Sequence, residues 1–336
     1  MKHTDYFKNF LENTVNMSQF NLDLLTQRVD TVYGVLKADD DLSPLIKKMI
    51  PQGSWPQKTI IRPQNNKPFD GDFMVQMVEN PDWDDDKKAY GDAIYRVLHN
   101  TSPYKDMPHG RKCRCVYLNY ANNAMHLDIV PFVLRADGTQ WIINRDDNEW
   151  ERTDTDGFTA WMKSQDVIAN KHLREVIRIM KFLRDHKNSF TGTKSILLTT
   201  LLGERVEAWR KVIDTGYYAD LPTALVHIVS DLDDWLQDRP LKPVIMDPAG
   251  TGTSFDHRWS QETYAYFRDR IHTHAAEIKA AYDETDSDES VKKWQALFGD
   301  GFTAPKSDGA EGKYGAVGAG AGSAGAATVS LSGRAG

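Results

Sequence analysis

The chain has 336 residues, 40% hydrophobic and 10% aromatic, which suffices for a large core and favours two lobes over one. Its formal net charge of −7 lacks the basic footprint of a general nucleic-acid binder, which leaves at most a local basic cleft. No run reaches the roughly 18 apolar residues of a membrane span, and the opening MKHTDYFKNFLENT has no apolar signal core, so a cytoplasmic location is expected.

Residues 4–16 and 19–38 read as helices. In the second, Leu24, Leu25, Val29, Val32, Val35 and Leu36 recur at helical spacing. A short helix over 42–49 is expected to run into Pro51-Gln52-Gly53-Ser54, followed by a short strand at Thr59-Ile60-Ile61-Arg62 and a polar turn at 63–68. FDGDFMVQMV, 69–78, reads as a strand and 88–99 as a helix. Two further strands, 111–120 (RKCRCVYLNY) and 124–133 (AMHLDIVPFV), are joined as a hairpin by Ala121-Asn122-Asn123. Trp141-Ile142-Ile143-Asn144 is expected at the sheet edge. Cys113 and Cys115 lie in the first hairpin strand with no Cys/His cluster nearby, so they read as reduced thiols of the core and not as zinc ligands.

Beyond about residue 155 the pattern turns helical, at 157–164, 169–187, 194–202, 220–237 and 260–284, with an irregular connection at 241–258. The expected fold class is α+β: a mixed-sheet lobe with N-terminal helices over 1–155 and a helical lobe over 156–302. From 303 to 336 glycine, alanine and serine dominate. Such a stretch buries too little surface to offset its ordering entropy, and it reads as a flexible tail.

The chemistry concentrates on three carboxylates. Asp70 and Asp72 are two apart on a strand and therefore share a face. Asp128 lies in a second strand, and if the strands are neighbours it joins the pair. Like charges so close repel unless a cation lies between them. An all-oxygen site suits Mg²⁺, and two ions about 4 Å apart activate an attacking hydroxyl and stabilise a leaving pyrophosphate. Both strands are otherwise apolar, which makes clustered charge there costly without a function. Gln52-Gly53-Ser54 precedes the pair, and glycine there allows backbone amides and a hydroxyl to approach a phosphate. Gly71, between the two aspartates, weakens a strand and leaves their aim open.

Gly-Ser, Asp-x-Asp and a distant Asp together resemble the polymerase-β-like nucleotidyltransferase superfamily. Within it the chain resembles the CD-NTases, bacterial cyclic-oligonucleotide synthases of CBASS anti-phage defence that are relatives of cyclic GMP–AMP synthase and oligoadenylate synthase. The narrower resemblance rests on Gln52-Gly53-Ser54 with Thr59, Ile61, Arg62 and Pro63, and on Leu127-Asp128-Ile129-Val130-Pro131. LREVIRIMKFLRDHK (173–187) with Lys194-Ser195-Ile196-Leu197, and WQALFGDGF (294–302), extend it to most of the chain. It implies a two-lobed fold with nucleotides between the lobes, catalysis and Mg²⁺ binding by Asp70, Asp72 and Asp128, and NTP binding by Gln52, Gly53, Ser54, Lys181 and Ser195. On the helical wheel Lys181 falls at the border of the buried stripe, beside Arg174 and Arg178. The expected product is a cyclic di- or trinucleotide made from ATP, GTP or both with release of pyrophosphate. The resemblance also implies conjugation of the C-terminal Gly336 by a ubiquitin-conjugation-like E1/E2 enzyme. A template-independent RNA-tailing enzyme would use the same carboxylates, and a non-catalytic nucleotide-binding scaffold is the alternative of another class.

Overall fold

The computed structural model describes residues 1–64, 67–121 and 125–306. The expected hairpin connection at Asn122-Asn123 and the tail with Gly336 fall outside the described residues. The helices are α1 (Thr4–Phe10), α2 (Gln19–Ala38), α3 (Ala89–Asn100), α4 (Thr155–Ile168), α5 (Leu173–His186), α6 (Ser195–Glu204), α7 (Ala208–Ile213), α8 (Leu221–Gln237), α9 (Gln261–Asp283) and α10 (Ser287–Phe298). The strands are β1 (Ile46–Gln52), β2 (Phe69–Met77), β3 (His109–Arg111), β4 (Val116–Asn119), β5 (Met125–Leu134), β6 (Gln140–Asn144) and β7 (Glu149–Thr153). No helix among the described residues is long and apolar enough to cross a membrane.

The sheet runs β1-β2-β5-β4-β3, with β2 and β5 parallel and the other pairs antiparallel. One edge of β5 belongs to β2 throughout. The other is shared: β4 pairs with His126–Ile129 and β6 with Phe132–Leu134. Pro131, which has no amide hydrogen to donate, stands between these two pairings.

Side chains alternate across this sheet as a period of two requires. Phe69, Phe73, Val75 and Met77 of β2 and Met125, Leu127, Ile129 and Val133 of β5 face a core shared with Leu25, Val29, Val32 and Leu36 of α2. The opposite face carries Asp70, Asp72 and Asp128. Beyond them Met74, Val130 and Phe132 form a small apolar floor with Cys115 and Ile142. A second large core joins the helices from α4 onward, and Phe7, Phe10, Leu11 and Val15 of the N-terminus pack into it.

Several expectations need correction. Residues 42–49 are not a helix: a 3₁₀ turn at Ser43–Leu45 leads into β1, whose ladder with β2 spans Ile46 to Gln52. Thr59–Arg62 is not a strand, and only Ile61 makes an isolated bridge, to Asn16. The stretch 111–120 is broken, because residues 112–115 leave the ladder between β3 and β4. The sheet edge assigned to Trp141–Asn144 belongs instead to β7, which pairs outside β6. Both cysteines are free. Cys115 is buried in the floor, whereas Cys113 is partly exposed and donates to Asn144 Oδ1.

Gly71 is required by packing. A Cβ there would run into Leu25 Cδ1 of α2 and come within 3.0 Å of Leu127 Cδ2. The missing side chain lets α2 lie close against β2, on the face opposite the aspartates.

Candidate active site

Asp72 and Asp128 stand directly opposite each other in the parallel register of β2 and β5, and Asp70 stands opposite His126. Gln52, at the end of β1, is the antiparallel partner of Asp72. Gly53 follows with φ +65°, and a Cβ on it would lie 2.9 Å from Asp72 Oδ2. Glycine is needed there twice over, for the left-handed turn and for the close approach to the carboxylate. The chain then folds back so that Thr59 N donates to Ser54 O at 2.9 Å.

Lys181 enters from α5. That helix is buried on nearly all sides, so Lys181 is not at the border of a stripe but inside, only 5% exposed. Its Nζ donates to Thr59 O at 3.1 Å and to Thr59 Oγ1 at 3.2 Å. Burial pulls Lys181 down to about 7, with the neighbouring Arg184 charge acting the same way. Ser195 opens α6, and its Oγ accepts from Arg184 Nη1 at 3.2 Å. A cavity of about 320 Å³ is lined by Gly53, Ser54, Asp70, Asp72, Asp128, Lys181 and Ser195 together.

The carboxylates are electrostatically unequal. Burial, then the charges of Asp128 and Asp70, push Asp72 up to about 7. Asp70 opens to solvent at the cavity mouth, yet the surrounding protein and the Asp128 charge raise it too. Among the described residues, neither Asp70 nor Asp72 has a side-chain hydrogen-bond or ion-pair partner. Asp128 is different. Burial opposes its charge, but His126 and Lys112 outweigh burial and hold it below the usual carboxylate range. Lys112 Nζ lies 2.9 Å from Oδ1 and 3.2 Å from Oδ2.

Among the described residues no three His, Cys, Asp or Glu side chains close on a single point as a metal cage does. The donor set nevertheless fits a hard divalent cation. Mg²⁺ takes one or two carboxylates and completes its shell with water and substrate phosphate, so a closed protein cage is unnecessary. Two partnerless carboxylates raised by burial and by the Asp128 charge are the environment that a cation relieves.

Two more cavities continue from this centre. One, of about 330 Å³, is cationic, with Lys67, Lys181, Arg184 and Lys194 beside Ser54 and Asp70. The other, of about 790 Å³, runs past Asp72 and Asp128 to Trp141, Trp150, Phe158 and Phe255, with Arg114 and Arg258. Arg114 pairs with Glu151, whereas Arg258 has no hydrogen-bond or ion-pair partner among the described residues. Arg184, Lys112, His126 and Arg258 escaped the sequence reading. Two signals were available: Arg184 lies about one helical turn from Lys181, and His126 lies two residues before Asp128 on the same face of β5.

The arrangement has known relatives. Residues 1–166 match the Second Messenger Oligonucleotide or Dinucleotide Synthetase domain. The cyclic AMP-AMP-AMP synthase of an Acinetobacter species is 20% identical over 279 residues, covering 81% of this chain and 78% of that protein. The structure of CdnC from E. coli MS115-1 with ATP aligns at TM-score 0.66 and 20% identity, over 89% of this chain and 98% of that one. The GTP complex of the Bradyrhizobium diazoefficiens CD-NTase CdnG aligns at 0.68 and 17% identity, over 88% and 94%. The structural matches establish the polymerase-β-like fold, in which the sheet with its carboxylate face and the helical part are both included. With the synthetase domain spanning the three aspartates, the chain belongs to the CD-NTase family of nucleotidyltransferases, the cyclic-oligonucleotide synthases.

Proposed function

We propose that the chain is a Mg²⁺-dependent synthase that joins NTPs, ATP and GTP foremost, into a cyclic di- or trinucleotide with release of pyrophosphate, as a signal in anti-phage defence. The observation that carries this reading is one cavity lined by the Asp70, Asp72 and Asp128 face, the Gly53-Ser54 turn, Lys181 and Ser195. Residues 1–155 then act as the palm lobe and 156–302 as the lobe that closes over the nucleotides, with α1 packed into the core of the second and tying the two together.

In this reading Gly53 and Ser54 bring backbone amides and a hydroxyl to the donor phosphates. Lys181 and Ser195 hold the departing pyrophosphate, and Arg184 fixes the Ser195 hydroxyl. Asp70 and Asp72 hold Mg²⁺, which when bound neutralises phosphate charge and lowers the pKa of the acceptor hydroxyl. Asp128 would complete this metal site and favours deprotonation of the acceptor ribose hydroxyl, which is held in line with the α-phosphorus. The mostly apolar chamber beyond takes the nucleoside. Catalysis is positioning and charge neutralisation.

The test is mass spectrometry of the product from a four-NTP mixture with Mg²⁺ and no primer. A phosphatase-resistant cyclic product supports the reading. Product that appears only with added RNA makes the protein a tailing enzyme. Pyrophosphate release that persists in the Asp70→Asn/Asp72→Asn variant removes the assigned mechanism.

A further inference from the structure

Lys112 is not part of the assigned catalytic set, yet it makes the closest cationic contact to it. Its Nζ reaches both oxygens of Asp128, at 2.9 and 3.2 Å, and His126 Nε2 at 2.7 Å. His126 is itself held, its Nδ1 bonded to Asn119 Oδ1. His126 Nε2 also lies 3.0 Å from Asp128 Oδ1, so Lys112, His126 and Asp128 form one closed cluster. The backbone fixes the root of the side chain, with Lys112 N donating to Cys115 O at 2.8 Å. Residues 112–115 lie outside the ladder, and the Lys112 side chain is 45% exposed. The root is therefore fixed, and the exposed side chain has room to move once its ammonium leaves Asp128.

We propose that Lys112 is an internal counter-cation that covers Asp128 until nucleotide binds, so that metal enters the carboxylate face together with a triphosphate and not before it. This rests on the metal-binding reading of the three aspartates. An ammonium on both Asp128 oxygens and a divalent cation on the same oxygens repel at contact distance. Lys112 also lines the cavity of Gly53, Ser54 and Lys181. A phosphate in that cavity offers the ammonium a second anionic partner, and moving to it frees Asp128 for the metal. Asp70 and Asp72 have no such cover. The device therefore acts on one of the three carboxylates, and His126, in contact with both Lys112 and Asp128, positions the pair.

The test is Mn²⁺ binding to the full chain, read by electron paramagnetic resonance of the free ion, with and without a non-hydrolysable ATP analogue. Without nucleotide, Lys112→Met is expected to bind Mn²⁺ at least tenfold more tightly than wild type, and Lys112→Arg, which keeps the charge, like wild type. With the analogue present, the gap between Lys112→Met and wild type closes. His126→Ala, which removes one contact to Lys112 and one to Asp128, is measured in parallel and is expected to fall between wild type and Lys112→Met; equal affinity in wild type and Lys112→Met without nucleotide overturns the proposal, as does weaker binding in a folded Lys112→Met protein. Failure of wild type to bind Mn²⁺ even with the analogue overturns the metal reading of the aspartates instead.

Discussion

Lys181 Nζ donates to both the carbonyl and the hydroxyl oxygen of Thr59, linking α5 to the turn that follows Gly53-Ser54. The ammonium is buried and pulled down to about 7 from its ordinary 10.5. The unfolded chain keeps this proton up to about pH 10.5, while the folded chain releases it above about 7. Lys181 therefore destabilises the fold at neutral pH, and its contribution improves as pH rises from 7 toward 10.5. A bound triphosphate reverses the shift. Nucleotide binding at pH 8 is expected to take up about one proton, measured by calorimetry in buffers of different ionisation enthalpy, and Lys181→Met abolishes the uptake. The same variant is expected to raise KM for NTP by about tenfold or more, the loss of one charge-assisted hydrogen bond, with an unchanged or higher Tm.

Gly53→Ala tests the close approach to Asp72. The left-handed φ costs a residue with a Cβ about 1–2 kcal/mol, and the methyl group presses on Asp72 Oδ2. The displaced carboxylate is expected to lower kcat roughly 100-fold, while a thermal melt moves only a few degrees.

Gly71→Ala affects the other face of the same strand. Overpacking against Leu25 and Leu127 is expected to cost about 1–3 kcal/mol in chemical denaturation. Leu25→Ala in the same chain makes room for the methyl group. The double variant is expected to be more stable than the sum of the single losses predicts, and strict additivity would argue against the packing account.

Arg258 presents only donors to a largely apolar chamber, and its guanidinium, 6.0 Å from the Phe255 ring centroid, has no hydrogen-bond or ion-pair partner among the described residues. The protein packed around its guanidinium pulls its pKa down, which makes an acceptor-rich ligand edge the favourable one to meet it. Guanine offers O6 and N7 side by side, whereas adenine sets a donor beside N7. Arg258→Met is expected to lower the guanine content of the product made from mixed NTPs by about tenfold. Pyrophosphate release from ATP alone is expected to persist. Mass spectrometry and a pyrophosphate assay on the same samples check both.

The sequence displays the carboxylate face because a period of two is a local property, visible in Asp70-Gly71-Asp72 without knowing which strands pair. It does not display β1. Leu45, Ile46, Met49 and Ile50 repeat with helical spacing, and only the ladder to β2 decides for a strand. β7 was hidden because Glu149-Trp150-Glu151-Arg152 is mostly charged. It is held by pairing with β6 and by the Arg114–Glu151 contact, both long-range. Lys112 and Arg258 were illegible for the same reason: each lies in an irregular segment whose destination depends on tertiary contacts. Lys181 was located, but its depth was not, since the wheel shows one helix and not the neighbours that enclose it.

The change of partner along β5 at Pro131 divides the sheet into two separately paired parts. Upstream of it, Asp128 is locked between Asp72 and Tyr117 by ladders on both sides. Downstream, β6 and β7 are a hairpin joined to β5 through three paired positions only. This hairpin carries Trp141, Trp150 and Glu151 into the cavity of about 790 Å³. Substitutions there alter what the chamber accepts without passing through the ladder that aims the aspartates. On the proposed function, variants in β6–β7 are expected to change which nucleotides are joined while the bond-forming chemistry stays as it is.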